Sequence, residues 1–254
     1  MGLPASAFVL MTLVAPAGGK PFKAPEALEA WMAGYHAHPE PLRLSGALKD
    51  AMALGMLGRP EVLGFFVTAY RGNPEAEAAL IAGFPREDLS GHMAGLVLLG
   101  SLGEDLTDHL ILLPDEMRGR FGKIPVLADP TRPLALAPLP DPQEVQRALD
   151  RMNHALGAYR ATGDLTYLRV ILAGLRDAAD HPAFLAWAAP DKRDPNPGPA
   201  VARGCVYDQA RATLLRLRGD ALATTTLRAL AREATEPAWL RQELLQMEPA
   251  PARP

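Results

Sequence analysis

Apolar residues recur along most of this chain at steps of three and four, the spacing that lines one face of a helix. The clearest case runs from Pro142 to Ala179. Val145, Leu149, Met152, Leu156 and Tyr159 form one stripe, and Leu165, Leu168, Ile171, Leu172 and Leu175 form a second. Gly163-Asp164 separates them. Glycine can take the left-handed conformation that closes a helix, and aspartate accepts from the free N–H groups that open the next. So short a joint makes the two helices antiparallel neighbours, and each apolar side chain buried between them contributes roughly 1.5–3 kcal/mol. The pattern returns at Gly219-Asp220, between Val206, Ala210, Leu214 and Leu217 on one side and Ala223, Thr226, Leu227 and Leu230 on the other. Related strings follow each pair, His181-Pro182-Ala183-Phe184-Leu185 and Glu236-Pro237-Ala238-Trp239-Leu240. Two such units suggest a structural repeat.

Earlier in the chain, Ala24-Pro25-Glu26, Arg59-Pro60-Glu61 and Asn73-Pro74-Glu75 each set proline and then a carboxylate in a first helical turn, where the missing N–H is harmless and the helix dipole favours the charge. Helices are expected to carry Leu28, Trp31, Met32 and Tyr35; Leu44, Leu48, Met52 and Met56, starting near Pro41; Val62, Leu63, Phe66, Val67 and Tyr70; Ala78, Leu80 and Ile81; Leu89 to Leu102; and Leu106 to Leu113. The expectation is an all-α protein of about a dozen helices in antiparallel hairpins, stacked as a short TPR/HEAT-like solenoid or an irregular bundle. Its divisions are an apolar, signal-like segment at 1–22, an N-terminal helical half at 23–120, a Pro-rich connector at 121–141, a C-terminal helical half at 142–248 and a disordered tail at 249–254. Pro190 to Pro199 reads as an exposed loop.

Composition sharpens this picture in three places. With 48% hydrophobic but only 6% aromatic residues, the core must be filled by Leu, Ala, Val and Met. The net charge of −3 is spread over interleaved signs, with no basic block that would track a nucleic-acid backbone. The apolar stretch Met93–Leu113 is broken by Glu104, Asp105 and Asp108, which argues against an integral membrane span. Residues 1–17 end in Ala15-Pro16-Ala17, a cleavage-like arrangement without the usual basic start. A periplasmic location follows if they are a signal peptide with a mis-set start, and a cytoplasmic one otherwise. The single Cys205 allows no intrachain disulfide.

Candidate chemistry is sparse. No Ser-centred elbow, dinucleotide glycine fingerprint, HExxH or CxxC pair is present, so no catalytic residue and no cofactor are assigned. Asp105 and His109 share a helical face and, with His92, form a remote metal candidate. Trp31, Tyr35, His36, Met52 and Met93 are candidates to line a pocket. Methionines in that half (Met32, Met52, Met56, Met93) would make such a pocket adaptable for a small molecule or lipid. Cys205, beside Tyr207 and Asp208, is a conceivable nucleophile but reads more simply as packing. Arg169 and Arg176, seven residues apart, and Arg211 and Arg218, with the same spacing, would form a ladder for an acidic protein partner if the hairpins stack.

Trp31-x3-Tyr35 with a following His38-Pro39, then Leu63-Gly64-Phe65-Phe66 and Asn73-Pro74, resembles a group of uncharacterised, often exported, bacterial helical proteins with TPR/HEAT-like helix pairs. Thr162-Gly163-Asp164 with Tyr167-Leu168-x2-Ile171-Leu172 is similar to that group as well. The resemblance implies the helical fold and brings no activity. The leading functional expectation is therefore a non-catalytic interaction protein. A Met-lined small-molecule or lipid binder and a helical enzyme without a recognisable motif are the alternatives.

Overall fold

The structure, a computed structural model, describes residues 19–82, 89–103, 106, 110, 115, 118, 144–189 and 198–247. Within them all regular structure is helical. The expected connector at 121–141, the tail at 249–254, most of the 1–22 segment and of the loop before Pro199, and most of the Leu106–Leu113 pattern lie outside the described residues.

Among the described residues the N-terminal half holds five helices: α1 (Pro25–Gly34), α2 (Leu44–Ala53), α3 (Pro60–Arg71), α4 (Pro74–Ala82) and α5 (Leu89–Leu102). Proline stands at the start of α1, α3 and α4, as the pattern predicts. The second expected helix is shorter than its stripe, because Pro41–Arg43 forms a separate 3-10 turn before α2. Helix α3 is buried on every side from Val62 to Tyr70. Around it the few aromatic side chains of this half join edge to face. Trp31 meets Tyr35 and Phe65 at 5.2 and 5.5 Å, Tyr35 meets Phe65 at 5.2 Å, and Phe65 meets Phe66 at 5.3 Å. Each such pair contributes about 0.5–1.5 kcal/mol beyond the area it buries. Leu96, Leu98 and Leu99 of α5 close this core.

The C-terminal half comprises α6 (Glu144–Thr162), α7 (Leu165–Ala173), α8 (His181–Ala188), α9 (Pro199–Arg216), α10 (Ala221–Arg232) and α11 (Ala238–Met247). Helices α6 and α7 form the expected touching hairpin. Gly163 takes φ +70°, and the Asp164 carboxylate accepts from Thr166 N at 2.8 Å. The second stripe was expected to run as one helix to Ala179. Instead α7 ends at Ala173 and a 3-10 segment, Gly174–Asp180, follows with a kink at Asp177. Gly174 lies where a side chain would meet Ala210 at 2.7 Å and the Met152 sulfur at 2.9 Å, so this tightened segment is wedged between α6 and α9. The second Gly-Asp joint differs too. Asp220 caps α10 through Ala223 N at 2.9 Å, but Gly219 closes a 3-10 turn rather than taking the left-handed conformation.

Among the described residues the most extensive packing is between α3 and α6, helices separated by more than seventy residues of sequence. Two glycines make it possible. A Cβ on Gly64 would stand 2.5 Å from His154 O, and one on Gly157 would collide with Glu61 O and Phe65 N. The two backbones therefore touch directly. Helix α6 serves both cores, with Met152, Leu156 and Tyr159 in the C-terminal cluster and Ala161 in the N-terminal one.

Candidate functional site

Where α1, α6 and α10 converge, a polar knot fastens the halves together. The cap position fixes the Asp220 carboxylate, whose Oδ1 is taken by Ala223 N. Its Oδ2 accepts from Tyr159 OH at 3.2 Å and lies 3.5 Å from His36 Nε2. Burial, and then the adjacent Asp220 charge, hold the Tyr159 phenol well above its ordinary range. His36 is anchored through its backbone N–H, which donates to Arg160 O at 3.1 Å. Its ring lies 5.4 Å from that of Tyr159 and rests against the Gly163 backbone. His36 Nδ1 and Arg160 Nε are buried without hydrogen-bond partners among the described residues. Burial and the neighbouring Arg216 draw the Arg160 guanidinium down, while Glu61, Glu29 and Asp220 act in the opposite direction. With side-chain exposures of 9% for His36 and 11% for Asp220, the cluster faces inward and acts as a fastener.

Of the pocket residues expected from the sequence, Trp31, Tyr35 and Met52 gather at the N-terminal core, and His36 turns away from it. Trp31 packs on Phe22 at 5.5 Å and donates from Nε1 to Glu40 Oε2 at 2.6 Å. Tyr35 turns into the N-terminal core, where burial raises its phenol to about 12, whereas His36 turns toward Asp220. Met32 and Met56 are fully buried core fillers, and Met52 is half-buried against the same core. The side chains of Met93 and His92 fall outside the described residues, as do Asp105 and His109. Among the described residues no group of three His, Cys, Asp or Glu side chains is arranged to hold a metal ion.

The arginines have traceable positions. Arg169 bonds Glu236 Oε1 at 2.8 Å, just before α11 begins, and Arg218 donates to the carbonyl of Met247, where α11 ends. These two arginines therefore grip the opposite ends of one helix. Arg176 is exposed in the 3-10 segment, and Arg211 is half-buried on α9 near Tyr207. On the same helix, burial and the nearby Asp208 charge raise the Cys205 thiol, which favours the protonated form over a nucleophilic thiolate. His181 Nε2 meets Asp208 Oδ1 at 3.0 Å, and Tyr207 OH donates to the buried Glu243 carboxylate at 2.6 Å. These contacts fasten α8 and α11 to α9.

An opening to the surface lies toward the C-terminal end of α9. Leu214 of α9, Thr224, Leu227 and Arg228 of α10, Leu244 and Met247 of α11, and Arg218 from the intervening turn line a slot of about 50 Å³. Its floor is apolar, and among the described residues its charged lining side chains are Arg218 and Arg228. No protein-family model, curated protein or solved structure matches the chain. The site is therefore read from its own chemistry. Sequence reasoning missed the slot because Leu227, Leu244 and Met247 carry the same helical spacing as core residues. It missed the His36–Asp220 contact because nothing local pairs positions so far apart. Among the described residues no helix is long and apolar enough to cross a membrane.

Proposed function

We propose that this is a non-catalytic helical protein that docks another protein at its C-terminal end, in the slot between α9, α10 and α11. The observation that carries the reading is the apolar floor of Leu214, Leu227, Leu244 and Met247 reaching the surface where three helices meet. Its volume suits one aliphatic side chain and falls far below the roughly 300–1,000 Å³ of small-molecule sites. The exposed Leu245 of α11 and Leu222 of α10 add apolar surface on the same two helices. Repeated aspartate caps at Asp164 and Asp220 support reading this half as stacked, TPR/HEAT-like hairpins, a form that presents grooves to partners. Kinship with the exported bacterial helical group belongs to the same proposal, and would place the partner in the envelope.

The test fills the slot. Thr224→Trp places a bulky ring over the floor from a half-buried position on α10. A partner recovered with the wild-type protein and then purified should bind the wild type and lose at least tenfold in affinity for the variant, while the two proteins melt alike. Equal affinity for both would place docking elsewhere and end this reading.

A further inference from the structure

We infer that the face built from residues 19–23 and the Pro41–Arg43 turn rests on the surface of a lipid bilayer, with the apolar run Ala5–Ala15 entering the interface beside it. The inference is independent of the slot. Its first support is a leucine presented outward. Leu42 is 79% exposed, the most exposed large hydrophobic side chain among the described residues. Its turn is held rather than loose. Arg43 donates to Glu40 Oε2 at 3.3 Å and to Lys20 O at 3.2 Å, and its guanidinium lies 4.3 Å from the centre of the Phe22 ring. Glu40 Oε2 also accepts from Trp31 Nε1 at 2.6 Å. Pro21, next to Phe22, and Pro39, next to Glu40, are exposed as well. A single surface leucine is ordinary. One fixed at the tip of a pinned turn can enter a bilayer without losing conformational freedom there.

The second support is what this turn adjoins. From Met1 to Gly19 no side chain is charged, and Ala5–Ala15 is apolar apart from Ser6 and Thr12. Such a run is too short to cross a bilayer and suits its interface. It joins the folded body at the same place: a Cβ on Gly19 would stand 2.5 Å from Arg43 Nε, and Phe22 N donates to Asp50 Oδ2 at 2.8 Å. The third support is the charge at the junction. The first charged side chains of the chain are Lys20 and Lys23, both exposed. Ammonium groups between an apolar run and a folded body lie level with headgroup phosphates. The exposed Glu26 at the start of α1 opposes them, so apolar burial carries most of the attraction and the lysines set its orientation.

The experiment floats the full chain, made by cell-free synthesis and checked by intact mass, with phosphatidylcholine vesicles containing about 30% phosphatidylserine. Half of the protein should bind at about 0.1 mM lipid, the range of a single acyl chain. Leu42→Ser should weaken binding about fivefold while melting as the wild type does in solution. Leu10→Glu with Leu13→Glu should weaken it at least tenfold, and Lys20→Glu with Lys23→Glu severalfold. No flotation at about 2 mM lipid would overturn the inference. So would wild-type binding by Leu42→Ser, because the folded face would then not touch the bilayer. Removal of residues 1–17 by bacterial inner-membrane vesicles, read by intact mass, would overturn it too, since a cleaved leader anchors nothing.

Discussion

His154 shows how a single side chain records the crossing of α3 and α6. Its backbone lies against Gly64, and burial lowers its imidazole from 6.5 to about 4, with Asp150 pulling weakly the other way. The folded protein therefore holds this ring neutral. Between pH 6.5 and about pH 4 the unfolded chain binds the extra proton and the folded one does not, so stability falls as pH falls through that window. The full effect is at most about 3 kcal/mol. Other groups also titrate there, so the measurement is a comparison of melting temperatures at pH 7 and pH 4.5 for the wild type and His154→Gln. The wild type should lose several degrees more than the variant over that interval. Parallel losses would show that His154 is solvated.

At the scale of the helix, the two aspartate caps are chemically alike and structurally unequal. Asp164 serves only its own turn, through Thr166 N. Asp220 serves Ala223 N and also Tyr159 OH. Asp164→Ala should therefore cost about 1 kcal/mol, the usual value of a cap. Asp220→Ala should cost about 2–4 kcal/mol, because it also strands a buried phenol. Urea unfolding of both variants checks this, and equal losses would mean that the knot contributes nothing. The same contrast explains what could be read from the chain. Proline-marked starts, the Gly163 turn and both caps were legible because their causes lie within a few residues. The end of α7 at Ala173 was not, since the close approach of Ala210 and Met152 to Gly174 decides it. Gly219 carried the same local signal as Gly163, yet the chain tightens into a 3-10 turn there.

For the whole molecule, the α6–α7 hairpin is seated through α6 on α3. Gly64 and Gly157 were visible as glycines inside helical patterns, where each costs about 1 kcal/mol against alanine unless packing demands it. Neither names its partner, so the crossing emerges only in three dimensions. By seating α6 on α3, that crossing also fixes where α9 lies, since α9 packs against α6 and against the 3-10 segment that follows α7. Of the methionines expected to make a pocket adaptable, Met32 and Met56 fill the core, and the side chain of Met93 lies outside the described residues.

The claim on which this account depends is that α3 and α6 meet backbone to backbone. Thermal unfolding of Gly157→Ala tests it most directly, with Gly46→Ala as the control, since a Cβ at Gly46 of α2 meets nothing within 4 Å. The account predicts that Gly157→Ala melts as one transition about 5–10 °C below the wild type, an overpacking cost of about 2–3 kcal/mol, while Gly46→Ala melts at or slightly above it. A Gly157→Ala protein as stable as Gly46→Ala would contradict the crossing and the joined architecture built on it.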